Sequence, residues 1–322
     1  MTYLKATENF YKKMAETPEK GLCCTTSPVW KLPDLRVPAK MLEMNYGCGT
    51  TVHPRDLDDG MKILYVGIGG GMELLQFAYF LREKGAVIGV DVVPEMIRVA
   101  KENFMEAERL NPWFRHDFVR LEMGNTLSLP VHDETVDLAA QNCLFNILKE
   151  EDLKRALAEM YRVLKPHGKL VLSDPIAPGE IPAHLKEDDR LRAMCLSGAL
   201  TYDRYLRLLV ETGFGTIEVR ARRPYRMLDT KRYGLEENIL LESIEVAAIK
   251  DPIPADGSCI FTGCAAIYFG GEKFFDDRKG HVLSRDIPFS VCDKTAKALK
   301  SLERADIHVT GPTFFYDGGG CC

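Results

Sequence analysis

The chain has 322 residues, 46% of them hydrophobic and 28% charged, with 42 Lys and Arg against 47 Asp and Glu for a net charge of -5. That much apolar material supports a substantial buried core and excludes global disorder or a fibrous protein, while the acidic balance offers no broad cationic field to a nucleic acid. The length fits two domains with room for a cap.

The chain opens MTYLKATENFYKKMAETPEK, polar with scattered apolar positions, and it has no 18-residue apolar run and no basic-then-apolar leader. A soluble, cytoplasmic protein with no membrane partner is therefore expected. Residues 1–60 read as an N-terminal arm: a short amphipathic helix over Leu4 to Met14, a Pro-punctuated stretch from Thr17 to Pro38, a second short helix over Pro38 to Met44, and the turn Tyr46-Gly47-Cys48-Gly49. Such an arm is too small for its own core and must lie on something.

From Met61 strands and helices alternate. MKILYVGIGG is a strand running into glycines; MELLQFAYFLREKG is a helix with Glu73 in its first turn and Gly85 at its end; AVIGVDVV is a strand, and Pro94 opens the helix PEMIRVAKENFMEAERL. Strands FVRLEM and VDLAAQ, helix EEDLKRALAEMYRVL, strand GKLVLSD, helix LTYDRYLRLLVETG and strand GTIEVRAR follow. This order specifies an α/β protein with a doubly wound, Rossmann-like sheet over residues 61–223. After Pro224 the texture becomes short strands (LLESIEVAAIK, CAAIYFGG, KFFDD, HVLSR) between turns, then a helix from Lys294 to Leu302. Residues 224–322 are expected to form a smaller, mainly β α+β domain ending in a flexible GGGCC tail.

Ten cysteines are too few for a disulfide scaffold of this length, yet they are unevenly grouped: Cys23-Cys24, Cys48, Cys143, Cys195, Cys259, Cys264, Cys292 and Cys321-Cys322. In a reducing cytosol such thiols suit metal, metalloid or redox ligation better than crosslinks. Cys143, in an apolar run, reads as a small core residue. The histidines form no HExxH or other compact metal signature, and no permanent metal is expected.

Gly67-Ile68-Gly69-Gly70-Gly71 lies between a strand and a helix, where glycine lets the backbone turn tightly and approach a ligand. Asp91, at the end of the second strand, is placed to accept hydrogen bonds from ribose hydroxyls. These features suit a dinucleotide or S-adenosylmethionine, although the loop matches GxGxxG only loosely.

The run from Met61 to Asp174, with VDLAAQNCLFNI and AEMYRVLKPHGKLVLSD, resembles the class I S-adenosylmethionine-dependent methyltransferases. CCTT, NYGCG, QNCLFN, MCLSGAL and VCDKTA together look like the arsenite methyltransferases. The resemblance implies methyl transfer from S-adenosylmethionine to thiol-bound trivalent arsenic, leaving S-adenosylhomocysteine. It places Gly67, Gly69, Gly71, Asp91, Met96, Asn125 and Asn142 at the cofactor. Many relatives carry an acidic residue where this chain has Tyr65, and Glu73 is a neighbour that could compensate.

By the same resemblance Cys48 and Cys195 are arsenic ligands, and Cys23 or Cys24 is a redox partner of the Cys48 thiol. The alternative for Cys195 is packing on the apolar side of a helix DDRLRAMCLSG. A third cysteine that many relatives carry near LEENILLES is absent here. Cys259 and Cys264 are the candidate replacements, at most one of them facing the site because their odd separation favours opposite strand faces. Cys292 is left outside the site. The resemblance also implies that arsenite, or its glutathione conjugate, is the substrate, that glutathione or thioredoxin serves as reductant, and that successive methylations occur; a monomer is expected. The competing readings are a class I methyltransferase of an organic small molecule and a metalloid-sequestering protein.

Overall fold

The computed structural model describes residues 2–18 and 31–314. Cys23, Cys24, Cys321 and Cys322 lie outside the described residues.

Helix α1 (Tyr3–Glu16) is capped by the Thr2 hydroxyl, which accepts from the Lys5 backbone N–H. It is followed by the short α2 (Ala39–Glu43). Then β1 (Ile63–Val66), α3 (Met72–Leu81), β2 (Val87–Asp91), α4 (Pro94–Leu110), β3 (Val119–Met123), β4 (Val136–Asn142) and α5 (Glu150–Val163) succeed one another. All four residues of β1 are buried, as a central strand covered on both faces requires. Pro94 occupies the first turn of α4, where its missing N–H costs no hydrogen bond. Helix α3 ends at Arg82, which itself takes the left-handed cap conformation, so Gly85 follows the helix instead of closing it.

Next come β5 (Leu164–Ala177), α6 (Ala183–Lys186), α7 (Asp189–Ala193), β6 (Leu200–Thr201), α8 (Tyr202–Thr212), β7 (Thr216–Leu228), α9 (Thr230–Tyr233) and β8 (Ile239–Ile249). They are followed by β9 (Cys259–Phe261), β10 (Ala265–Tyr268), β11 (Phe274–Asp276), β12 (Val282–Ser284), β13 (Phe289–Ser290), α10 (Asp293–Lys300) and β14 (Ile307–Val309).

The main sheet of the described residues has the order β3-β2-β1-β4-β5-β8-β7-β9, with β6 beside β5. Strands β1 to β5 are parallel, and β8 runs antiparallel between β5 and β7. The expected boundary at residues 223/224 therefore falls inside β7, and β8 and β9 belong to the central sheet. Pairings between β5 and β8 join residues about seventy positions apart, which local periodicity does not reveal. What stands apart is a smaller unit of β10, β13 and β14, the β11–β12 hairpin and α10, gathered on a separate apolar core that includes Phe261, Leu283, Val291 and Leu299.

One apolar core on the main sheet contains Ile63, Phe77 and Phe104; another contains Leu64, Leu172 and Phe214. The arm joins the first through Met14, Met41, Met44 and Cys48. No helix of the described residues is long and apolar enough to cross a membrane.

Candidate functional site

A cleft of about 1030 Å³, including its open mouth, lies where β1, β2 and β4 end. Open α/β sheets place ligands at the carboxyl ends of their strands, where the strand order reverses. Gly67, Gly69, Asp91, Met96, Asn125 and Asn142 line this cleft together. Gly67 has φ +79°, a conformation that a side chain would strain. Gly71 is not in the cleft wall: it opens α3, and a Cβ there would meet the Phe104 ring at 2.9 Å.

Asp91 is recessed in the cleft wall and braces the loop. Its carboxylate accepts from the Ile68 N–H at 3.0 Å and the Val93 N–H at 2.9 Å. Burial raises its pKa to about 6 against those two donors. Asn125 Oδ1 accepts from the Leu127 N–H. Two buried hydroxyl oxygens lining the cleft, Thr7 Oγ1 and Thr126 Oγ1, have no hydrogen-bond partner among the described residues. A polar ligand would satisfy them. The recessed carboxylate, the backbone loop, the unpaired hydroxyls and the apolar Met96 and Val92 suit a nucleoside cofactor.

The arm forms the cleft's roof. Leu4, Thr7, Glu8 and Tyr11 of α1 line it. Tyr11 OH donates to the Ala193 carbonyl at 2.9 Å, Lys12 pairs with Glu95 at 2.7 Å, and Tyr3 OH donates to Asp152. Sequence periodicity identified this helix but carried no sign of what it covers.

Behind the cleft the Cys48 turn is held by side chains of the main fold. The Cys48 N–H donates to Asn142 Oδ1 at 3.0 Å, Thr50 N–H to Glu245 Oε1 at 3.0 Å, and Thr51 N–H to Glu73 Oε1 at 3.0 Å. Asn142 Nδ2 donates both to the Gly49 carbonyl at 2.9 Å and to Glu73 Oε2 at 3.1 Å. Tyr65 OH also donates to Glu73, so the Tyr65 and Glu73 side chains meet in one buried cluster. Burial pushes the Glu73 and Glu245 carboxyls above their ordinary range.

Cys48 and Cys195 are each about 1% exposed, and neither is in a disulfide. Cys195 does not lie on a helix face. It follows the end of α7 at φ +58°, and its Sγ donates to the Cys143 carbonyl. Cys143, expected to be a small core residue, is one: it is buried in the same apolar core as Cys48 and Cys195, and, following β4 at φ +62°, it also forms part of the cleft wall. Its N–H donates to the Ser173 carbonyl at 2.7 Å, while Ser173 Oγ lies 3.3 Å from Cys48 Sγ. The Asn142–Cys143 segment and Ser173 thus bring Cys48, Cys143 and Cys195 into one neighbourhood.

Cys259 and Cys264 are not part of it. Both sit in the separate C-terminal core with Cys292. Cys259 is disulfide-bonded and Cys264 neighbours Thr262 and Asp293. Among the described residues, no three His, Cys, Asp or Glu side chains are gathered to hold a metal ion.

Residues 57–213 match a family profile described as a methyltransferase domain. The chain is 31% identical over 318 residues to an arsenite methyltransferase of Aquipseudomonas alcaligenes, covering 92% of this chain and 87% of that one. It is 32% identical over 177 residues to an arsenite methyltransferase of Halobacterium salinarum, covering 55% and 43%. An arsenic (III) S-adenosylmethionine methyltransferase structure from Chlamydomonas reinhardtii superposes with a TM-score of 0.61 at 24% identity, covering 88% of this chain and 96% of that one. At that identity the match speaks for the shared fold.

Proposed function

Because the chain belongs to the arsenite methyltransferases, enzymes that transfer methyl groups from S-adenosylmethionine to trivalent arsenic, we propose that it holds its substrate on Cys48, Cys143 and Cys195. The observation that carries this reading is the chain of contacts that links the three residues: Cys195 Sγ donates to the Cys143 backbone carbonyl, the Cys143 N–H donates to the Ser173 carbonyl, and Ser173 Oγ lies 3.3 Å from Cys48 Sγ. Trivalent arsenic is a soft centre that thiolates suit. As each thiol replaces a hydroxyl of arsenite, its proton leaves with that hydroxyl as water, so no separate base is required. Because the three thiols are not gathered among the described residues, this ligand set requires them to draw together on arsenic as it binds.

The cofactor, when bound, supplies an electrophilic sulfonium methyl. Asp91 accepts ribose hydroxyls, the Gly67–Gly69 backbone lines the approach, and Asn142 faces both the cleft and the Cys48 turn. Helix α1 excludes water above them, and the thiols present the arsenic lone pair to the methyl group; proximity and alignment do the catalysis. Arsenic arrives as arsenite or as its glutathione conjugate; methyl transfer to its lone pair takes it formally to the pentavalent state, two cysteine thiols return it to the trivalent state as they join in a disulfide, and a thiol reductant such as glutathione or thioredoxin reduces that disulfide.

Methyl transfer from labelled S-adenosylmethionine to arsenite, with products identified by mass, tests the ligand set. Cys143→Ser is expected to bind arsenite more weakly and to lose methylation while keeping S-adenosylhomocysteine affinity, and Cys264→Ser to keep all three. Full methylation by Cys143→Ser would remove Cys143 from the set.

Asp91 gives a pH-dependent expectation. Its charged form accepts the ribose hydroxyls, and its raised pKa of about 6 means that protonation competes with binding as the pH falls through that value. S-adenosylhomocysteine affinity should be level above that pH and weaken roughly tenfold per pH unit well below it. Calorimetric titration of wild type and Asp91→Asn across this range checks it, the variant being weak throughout and nearly independent of pH.

A further inference from the structure

We propose that Ser173 is a positioning residue for arsenic capture, its hydroxyl aiming the Cys48 sulfur while its backbone carbonyl fixes Cys143. The inference rests on the reading that these cysteines bind arsenic, and it adds a residue that carries no thiol and does not line the cofactor cleft.

Ser173 is fully buried in β5. Its hydroxyl needs a partner there, and among the described residues that partner is Cys48 Sγ at 3.3 Å. A ligating thiolate has no proton to give, so in the arsenic-bound form the hydroxyl donates. The same residue's carbonyl accepts from the Cys143 N–H at 2.7 Å. One rigid strand residue therefore ties the Cys48 sulfur to the Cys143 backbone, two residues that are 95 positions apart in sequence.

The surroundings leave this contact little freedom. Gly49 packs directly on it: a Cβ there would stand 2.4 Å from Ser173 Oγ. In the adjacent antiparallel strand, Glu245 pairs in register with Ser173 and accepts from the Thr50 N–H on the far side of the same turn. Ser173 and Glu245 together form the floor on which residues 48–50 rest. A sulfur held in one direction has less rotational freedom to lose when arsenic binds, which is the general basis of preorganised affinity.

Ser173→Ala removes only an oxygen from a buried strand and should retain the fold. Its arsenite affinity, measured by equilibrium dialysis, is expected to fall about tenfold, with S-adenosylhomocysteine affinity unchanged. The discriminating measurement places the substitution in two backgrounds. In Cys48→Ser, where the remaining thiols provide the residual binding, Ser173→Ala should add no further loss; in Cys195→Ser it should add its full factor. An unchanged affinity in Ser173→Ala, or an equal loss in both backgrounds, would overturn the proposal. If Cys48→Ser itself binds arsenite as wild type does, the underlying ligand assignment fails, a result separable from the other two.

Discussion

Gly49→Ala is expected to lower arsenite methylation roughly 100-fold while leaving the cofactor cleft competent. The new Cβ would stand 2.4 Å from Ser173 Oγ, 2.7 Å from Glu245 Oε1 and 3.0 Å from Glu245 Cγ, all closer than side-chain atoms pack. Ser173 is fixed in β5, and Glu245 is held by the Thr50 N–H and Arg223. The turn is the part that must yield, by about 1 Å, and displacements of that size cost about 100-fold where reacting atoms must align. Because Gly49 has no strained φ, the effect is one of space, not of backbone conformation. Steady-state methylation measured beside S-adenosylhomocysteine binding checks it: activity within threefold of wild type would mean that the turn has more slack than its contacts imply.

The second large effect concerns stability. Asp56, 2% exposed, receives both terminal nitrogens of Arg220 and also Lys169 Nζ at 2.9 Å. This cluster pins the segment after the Cys48 turn to β7 and β5. A buried pair is no guarantee of net stabilisation, but removing one partner strands the other charge at a cost of about 3–5 kcal/mol. Asp56→Ala should lie near the lower end, since Glu218 Oε2 still accepts from Arg220 at 2.8 Å. A denaturant midpoint shift at constant slope would measure it. Burial raises the Asp56 pKa, but Arg220 and Lys169 outweigh it and hold the value at about 2, against an ordinary 3.8. The corresponding stabilisation, roughly 2 kcal/mol, is complete above about pH 4 and disappears as the pH falls toward 2. Wild type should show this acid loss, and Asp56→Ala should lack it.

Much of the architecture was readable from local signals. The apolar run into Gly67, Asp91 at a strand end and Pro94 at a helix start each report their own surroundings, and each lies where its neighbours predicted. The boundary at 223 was not readable, because the insertion of β8 between β5 and β7 is a non-local event. Cys143 illustrates a different limit. It is the buried core residue that its apolar flanks predict, and only its place just past β4, where the sheet order reverses, puts it in the cleft wall as well. Cys259 and Cys264 stand in the part of the chain where a third ligand is expected, but their positions in the sequence carry no sign of the separate core that holds them. Residue identity indicates the chemistry, whereas strand ends and register decide which cysteines are linked through their neighbours.

The position of β8 also bears on how the enzyme is made. A ribosome delivers β1 through β5 first, then β7, and only afterwards the strand that must lie between β5 and β7. Until residue 249 has emerged, the nascent sheet has an open seam beside Ser173, and Glu245 is not yet there to hold Thr50. The Cys48 turn therefore gains its last anchor late in synthesis, after the strands that carry Asn142 and Ser173 have already been delivered.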